Sequence, residues 1–141
     1  MQQETIPPAL KKWFVLHFVV DVVFAIPLFF FPVQFLTLLQ WQSIDPFATR
    51  IVAAALFGIG IESFLGRHAG ALTYKNMLNL KIIWSGAVIA GTALSIYQAP
   101  LPVPFSQLLL LIIFLGFHFL WLRWRIKIGR MVNMEKRRYV S

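Results

Sequence analysis

His17, Asp21, Arg50, Glu62, Lys81 and His118 are ionisable side chains embedded in long apolar stretches of the sequence. Carboxylates, imidazoles and an amine are the groups that take up and hand on protons. They are also the few convergent polar groups that orient a ligand in an otherwise apolar pocket. At membrane depth such a side chain costs roughly 2.5–3.5 kcal/mol on insertion scales, so it turns toward a bundle interior or a cavity. At 1.5 Å per residue, His17 lies about 7 Å above Lys12, Glu62 about 7 Å above Arg67, and His118 about 7 Å above Arg123. Lys81 lies about 6 Å above the start of its own apolar run. Every run thereby places one polar group at a similar height. Asp21 is one turn deeper than His17 and on the same face, because the two are four residues apart. The expected arrangement is a polar layer in which Asp21 and Glu62 offset Lys81, with both imidazoles beside them. His17, Asp21, Glu62, Lys81 and His118 then form the base of a ligand site, and Phe24 and Trp84 its apolar wall.

The elements that must position these groups follow from composition. Apolar residues make up 59% of the 141 residues and charged residues only 13%, about half the charged share of an ordinary soluble domain. Runs at 13–31, 46–65, 77–97 and 103–122 supply the length of about 20 residues that a membrane-spanning helix needs. The first run is too long for the apolar core of a signal peptide, and no small-x-small cleavage site follows it, so it reads as a retained span. Residues 32–45 are too few to cross and too apolar for an ordinary loop. A short interfacial helix anchored by Trp41 is expected there. Pro100, Pro102 and Pro104 predict a stiff turn, since none continues a helix. The fold class is therefore all-α, a single four-transmembrane-helix bundle over 1–141 with a basic tail at 123–141. Arg50, Ala54, Gly58, Glu62 and Gly66 recur every four residues, a spacing that predicts a close-packing face. Ala87, Gly91 and Ser95 predict another. Arg50 is expected to pair with Asp45.

The formal charge is +8. Lys11, Lys12, Arg67, Lys75 and the tail residues Arg123, Arg125, Lys127, Arg130, Lys136, Arg137 and Arg138 all fall on one side of a four-span topology. The positive-inside rule then places both termini in the cytoplasm. Trp13, Tyr74, Trp121 and Trp124 are expected at that boundary, with Trp41 and Tyr97 at the other. Anionic lipid headgroups at the basic tail are the expected partners; nucleic acid is not. The tail itself is expected to be a helix lying along the membrane surface. There are no cysteines, which excludes thiolate chemistry and disulfides. No helix carries a Glu-x-x-His or His-x-x-x-His pair, so no metal is expected. Nucleotide loops and Ser-His-Asp arrangements are absent, and no cofactor is implied.

The series Pro32-Val33-Gln34-Phe35, Leu38-Leu39-Gln40-Trp41, Asp45-Pro46 and then Glu62 resembles the EXPERA family, which includes the emopamil-binding sterol isomerases and the sigma-2 receptor. The resemblance covers the first half of the chain. It implies a four-helix protein with a ligand cavity, in which Asp21 and Glu62 hold a cationic or sterol-like molecule and Asp45 is a structural partner. Three functions stay open on the sequence. The first is binding of a lipid-like or amphiphilic ligand within the bundle. The second is proton-coupled transport by an oligomer of this chain, and the third is a structural or assembly subunit. Whether the protein is an enzyme is undecided; proton transfer on an apolar substrate by Asp21 or Glu62 is the chemistry that would fit.

Overall fold

The computed structural model describes residues 6–41, 43–98 and 102–138. Helix α1 spans Pro8–Phe30, α2 Pro32–Leu38, α3 Pro46–Leu65, α4 Ala71–Gln98 and α5 Phe105–Arg138, with a 3-10 turn at Gly66–His68. The segments Pro8–Phe30, Pro46–His68, Ala71–Gln98 and Phe105–Met134 are the four long, apolar helices that can cross a membrane. Their outward surfaces carry large exposed apolar side chains such as Val23, Phe30, Leu65, Ile83 and Ile112. That arrangement is stable in lipid and not in water, where an apolar patch of such extent would drive association. The architecture is that of an integral, multi-pass membrane protein.

Each boundary has a local cause. Pro8 and Pro46 open α1 and α3 in the first-turn position, where proline costs no hydrogen bond. Asp45 caps α3 through Oδ1, which accepts from Phe47 N at 2.9 Å and Ala48 N at 3.1 Å. Asp45 is thus occupied, and Arg50 does not pair with it. Arg50 Nε instead donates to the Phe29 carbonyl at 3.1 Å, placing a cation on the open carbonyl end of α1. The short helix α2 forms where the interfacial segment was expected. It ends with Gln40 in the left-handed region at φ 56°, and the Trp41 N–H returns to the Leu36 carbonyl at 2.9 Å. The expected proline turn falls partly outside the described residues, at Pro100; Pro102 and Pro104 precede α5.

Backbones approach most closely in two pairs, α1 with α3 and α4 with α5. Ala25 and Ala53 are fully buried, and Gly60 lies against Asp21. The packing face of α3 is therefore Ala53, Gly60 and Ser63. Of the expected stripe, Gly66 makes a close approach, to Met77, but Gly58 has open space where a Cβ would sit and Arg50, Ala54 and Glu62 are exposed. Ala87, Gly91 and Ser95 also face outward; α4 packs through Leu78, Lys81 and Ser85 instead. The pairs join through bulky side chains at one end: Ile6, Leu10 and Phe14 meet Tyr74, Met77, Leu78, Trp121 and Ile128. Tyr74 and Trp121, expected at the membrane boundary, are core residues here, 0% and 1% exposed. The Phe14 ring sits 4.7 Å from Tyr74 and 5.8 Å from Trp121.

Helix α5 has 34 residues, about 51 Å at the usual rise and well beyond the roughly 30 Å hydrocarbon core. The tail does not turn onto the surface as expected. It continues the helix, burying Ile128 against the N-terminal end of α1, and Arg125 Nε donates to Asn79 Oδ1 at 2.5 Å.

A Cβ added at Gly60 would meet Asp21 Cβ at 2.8 Å, whereas one at Gly58 would meet nothing within 4 Å. Gly60→Ala is expected to cost about 1–3 kcal/mol by forcing α1 and α3 apart. Gly58→Ala should change stability by less than about 1 kcal/mol. Unfolding of the purified proteins in mild detergent separates the two.

Candidate functional site

Polar side chains from α1, α3, α4 and α5 meet just inside this aromatic core. Lys81 on α4 is 2% exposed. Its Nζ donates to Ser63 Oγ at 2.6 Å and lies 3.1 Å from His17 Nδ1. Ser63 in turn donates to the Ile59 carbonyl at 2.6 Å, so its hydroxyl is satisfied on both sides. The ammonium also lies 5.0 Å from the Phe14 ring centre and 5.1 Å from that of Trp121. These rings supply negative faces to a cation withdrawn from water.

The carboxyl of Asp21 is 5% exposed. His17 Nδ1 is 2.8 Å from its Oδ2. That is ion-pair distance, but the geometry is not that of an aligned hydrogen bond, and Oδ2 has no hydrogen-bond partner. His17 is fixed by two edge-on aromatic contacts, 5.2 Å to Phe117 and 5.1 Å to Trp121. The α1 face can carry Asp21 here because Gly60 on α3 offers it no side chain.

His118 on α5 places Nδ1 2.8 Å from Ser85 Oγ, and its ring packs over Gly86. Ser85 lies one turn after Lys81 on the same face. A small, partly enclosed cavity of about 50 Å³ lies between these groups, bordered by His17, Asp21, Lys81, Trp84 and Ser85, with Ile113 and Phe114 among its apolar walls.

Of the expected site residues, the fold brings His17, Asp21, Lys81 and Trp84 to one cavity. His118 reaches it only through Ser85. Glu62 is not part of it. It is exposed on α3, and among the described residues the only carboxylate in ion-pair contact with a basic side chain is Asp21. The expected Glu62–Lys81 pair is replaced by Ser63, one residue along the helix. Phe24 is also exposed and forms no wall of the cavity. Ser63 and Ser85 were missed by sequence reasoning. Ser85 was detectable from its four-residue spacing to Lys81, and Ser63 from its spacing to Gly60. Among the described residues, no three His, Asp or Glu side chains converge as metal ligands would.

Lys81→Met is expected to destabilise the bundle by about 3 kcal/mol, because it strips the compensating charge from buried Asp21. Ser63→Ala should cost about 1–2 kcal/mol by leaving Lys81 an acceptor short. Glu62→Gln, at an exposed position, should stay within about 0.5 kcal/mol. Detergent or thermal unfolding ranks the three. No family model matches the chain, and no curated protein or solved structure is detectably similar to it.

Proposed function

We propose that this membrane protein handles protons at the Asp21–His17–Lys81 centre, as the proton-coupled element of a transporter or channel assembled from copies of this chain. One observation carries the reading: His17 Nδ1 lies 3.1 Å from Lys81 Nζ and 2.8 Å from Asp21 Oδ2. That nitrogen has a single in-plane position for a proton. With the proton present it cannot accept from Lys81, and it stands at ion-pair distance from Asp21 Oδ2 without an aligned hydrogen bond. With the proton absent it accepts from Lys81 and faces the carboxylate as a second acceptor. Either state leaves one contact unmade, so the proton has two competing places to reside. Ionisable side chains at membrane depth that touch one another in this way are the material of proton relays.

The interior supports this reading over an enclosed lipid-like ligand. Pockets for such ligands measure about 300–1,000 Å³, and the cavity here is about 50 Å³. It has room for about one water molecule, whose share of liquid volume is about 30 Å³. A water there would reach the orphaned Asp21 Oδ2 and the Ser85 hydroxyl, extending the chain of exchangeable protons toward His118. The EXPERA-like resemblance is a separate proposal. It would require Asp21 and Glu62 to hold one ligand between them, and the proton reading does not draw on it.

A structural subunit is the second reading, favoured by the small interior cavity. The neutralised double variant Asp21→Asn/Lys81→Met separates the two. A scaffold should retain its cellular function with both charges removed together, since a buried pair is replaceable by neutral groups of similar shape.

Proton movement is measured in liposomes carrying a pH-sensitive dye and an imposed pH gradient. Wild type is expected to dissipate the gradient faster than Asp21→Asn protein of equal helicity and equal unfolding midpoint, and faster than empty liposomes. Wild type no faster than empty liposomes, or equal to Asp21→Asn, would sink the proposal.

A further inference from the structure

We infer that the outer surface carries a site for an anionic phospholipid, in a groove where the start of α1 meets the 3-10 turn after α3. The groove measures about 470 Å³ and is lined by Lys11, Lys12, Val15, Leu16, Val19, Arg67 and His68. It lies outside the bundle and shares no residue with the buried centre, so this inference stands or falls independently of the proton reading.

The lining is segregated by chemistry along the helix axis. Lys11, Val15 and Val19 recur every four residues, and Lys12, Leu16 and Val19 at four and three, so all lie on one face of α1. Basic groups come first and apolar ones follow one and two turns deeper. Val19 lies about 10 Å below Lys12 at 1.5 Å per residue. This is the polarity profile of a phospholipid, with an anionic head at the boundary and an acyl chain running inward along the helix.

Opposite the lysines, Arg67 is held in place. Its Nη1 donates to the Phe64 carbonyl at 2.6 Å, and its guanidinium lies 3.8 Å over the Phe64 ring. That leaves further N–H groups of a planar, five-donor fork free for phosphate oxygens. The carbonyl of Arg67 accepts from Tyr74 Oη at 2.9 Å, which ties the turn to a fully buried side chain near the start of α4. The groove's wall is thus fixed by the aromatic core. No carboxylate lines the groove, and among the described residues none of its basic groups pairs with one. The groove surface is almost wholly apolar, so Lys11, Lys12 and Arg67 line it through their aliphatic stems. They carry three permanent positive charges at its rim, with no counter-charge in ion-pair contact among the described residues. A zwitterionic lipid supplies no net charge to offset them; an anionic one does. Basic pockets between transmembrane helices are the usual sites of acidic headgroups. Arg123, Lys127 and Arg130, on the long basic end of α5, line neither this groove nor the buried cavity, and serve as the comparison for a general surface attraction.

The test is native mass spectrometry of the detergent-purified full chain, titrated with phosphatidylglycerol or phosphatidylcholine. Wild type is expected to retain one phosphatidylglycerol far more tightly than phosphatidylcholine. Lys11→Gln/Lys12→Gln should weaken that retention on the order of 30-fold, as two juxtamembrane charges are lost. Leu16→Trp keeps every charge and fills the apolar floor, and should weaken it about tenfold. Arg123→Gln/Lys127→Gln/Arg130→Gln should leave it within about twofold. Equal retention of the two lipids by wild type would overturn the site. So would full retention by folded Lys11→Gln/Lys12→Gln protein, or a loss in the triple variant as large as in the lysine pair. Full retention by Leu16→Trp would also overturn it, by reducing the groove to headgroup attraction without an acyl-chain subsite. Helicity and unfolding midpoint of each variant, compared with wild type, keep a folding defect from passing as a binding defect.

Discussion

The bundle depends on the compensation of one buried ammonium. Hydrocarbon offers Lys81 no water, so each of its contacts must come from another helix, and the interior is arranged to provide them. Ser63 from α3 accepts one of its protons, His17 from α1 lies against it, and the faces of Phe14 and Trp121 are nearby. Asp21 supplies the opposite charge from one turn deeper on α1. None of these helices can rotate or slide without stripping a partner from the charge. The polar layer therefore fixes the register of two helix pairs whose remaining contacts are between bulky apolar side chains, which on their own tolerate repacking.

That layer is compensated in charge and left short in hydrogen bonds. Among its members, Asp21 Oδ2 is buried and orphaned, and one imidazole nitrogen faces two competing neighbours. A site built only for stability would pair every group, because an unpaired buried polar atom costs about 1–3 kcal/mol. The shortfall lies beside a cavity the size of a water molecule, and the proposed proton handling rests on it. The outer surface has the complementary character. Its groove is wide, open and apolar-floored, fitted to a chain-bearing molecule that the interior is too small to admit. The two proposed sites lie on different sides of α1 and share no lining residue.

Much of this was legible in the residues. Four spans and the short helix at 32–38 follow from run lengths and composition, because the bilayer sets a minimum helix length and excludes unpaired backbone. The convergence of His17, Asp21 and Lys81 also followed, since the cost of charge in hydrocarbon leaves ionisable groups few places to go. The argument reached its limit at Glu62, where the same cost predicted an inward side chain. A carboxylate within the last turn of its helix can remain at the periphery, while its neighbour Ser63, turned by about 100°, takes the inward position.

What the sequence alone determined is the set of helices and the identity of most groups that need burial, because both depend on length and transfer energy. Which face of each helix turns inward was decided by tertiary packing. Ala53 and Gly60 let α3 approach α1 more closely than the equally small residues Ala54 and Gly58 do, and that rotation brings Ser63, not Glu62, to Lys81. The same packing buries Tyr74 and Trp121 as core, and α5 continues as one helix with Ile128 in the same buried cluster as Ile6 and Leu10. A single chain's pattern leaves such choices open because small, apolar and aromatic residues occupy every face of these helices. Only the shapes of the partner helices select among them.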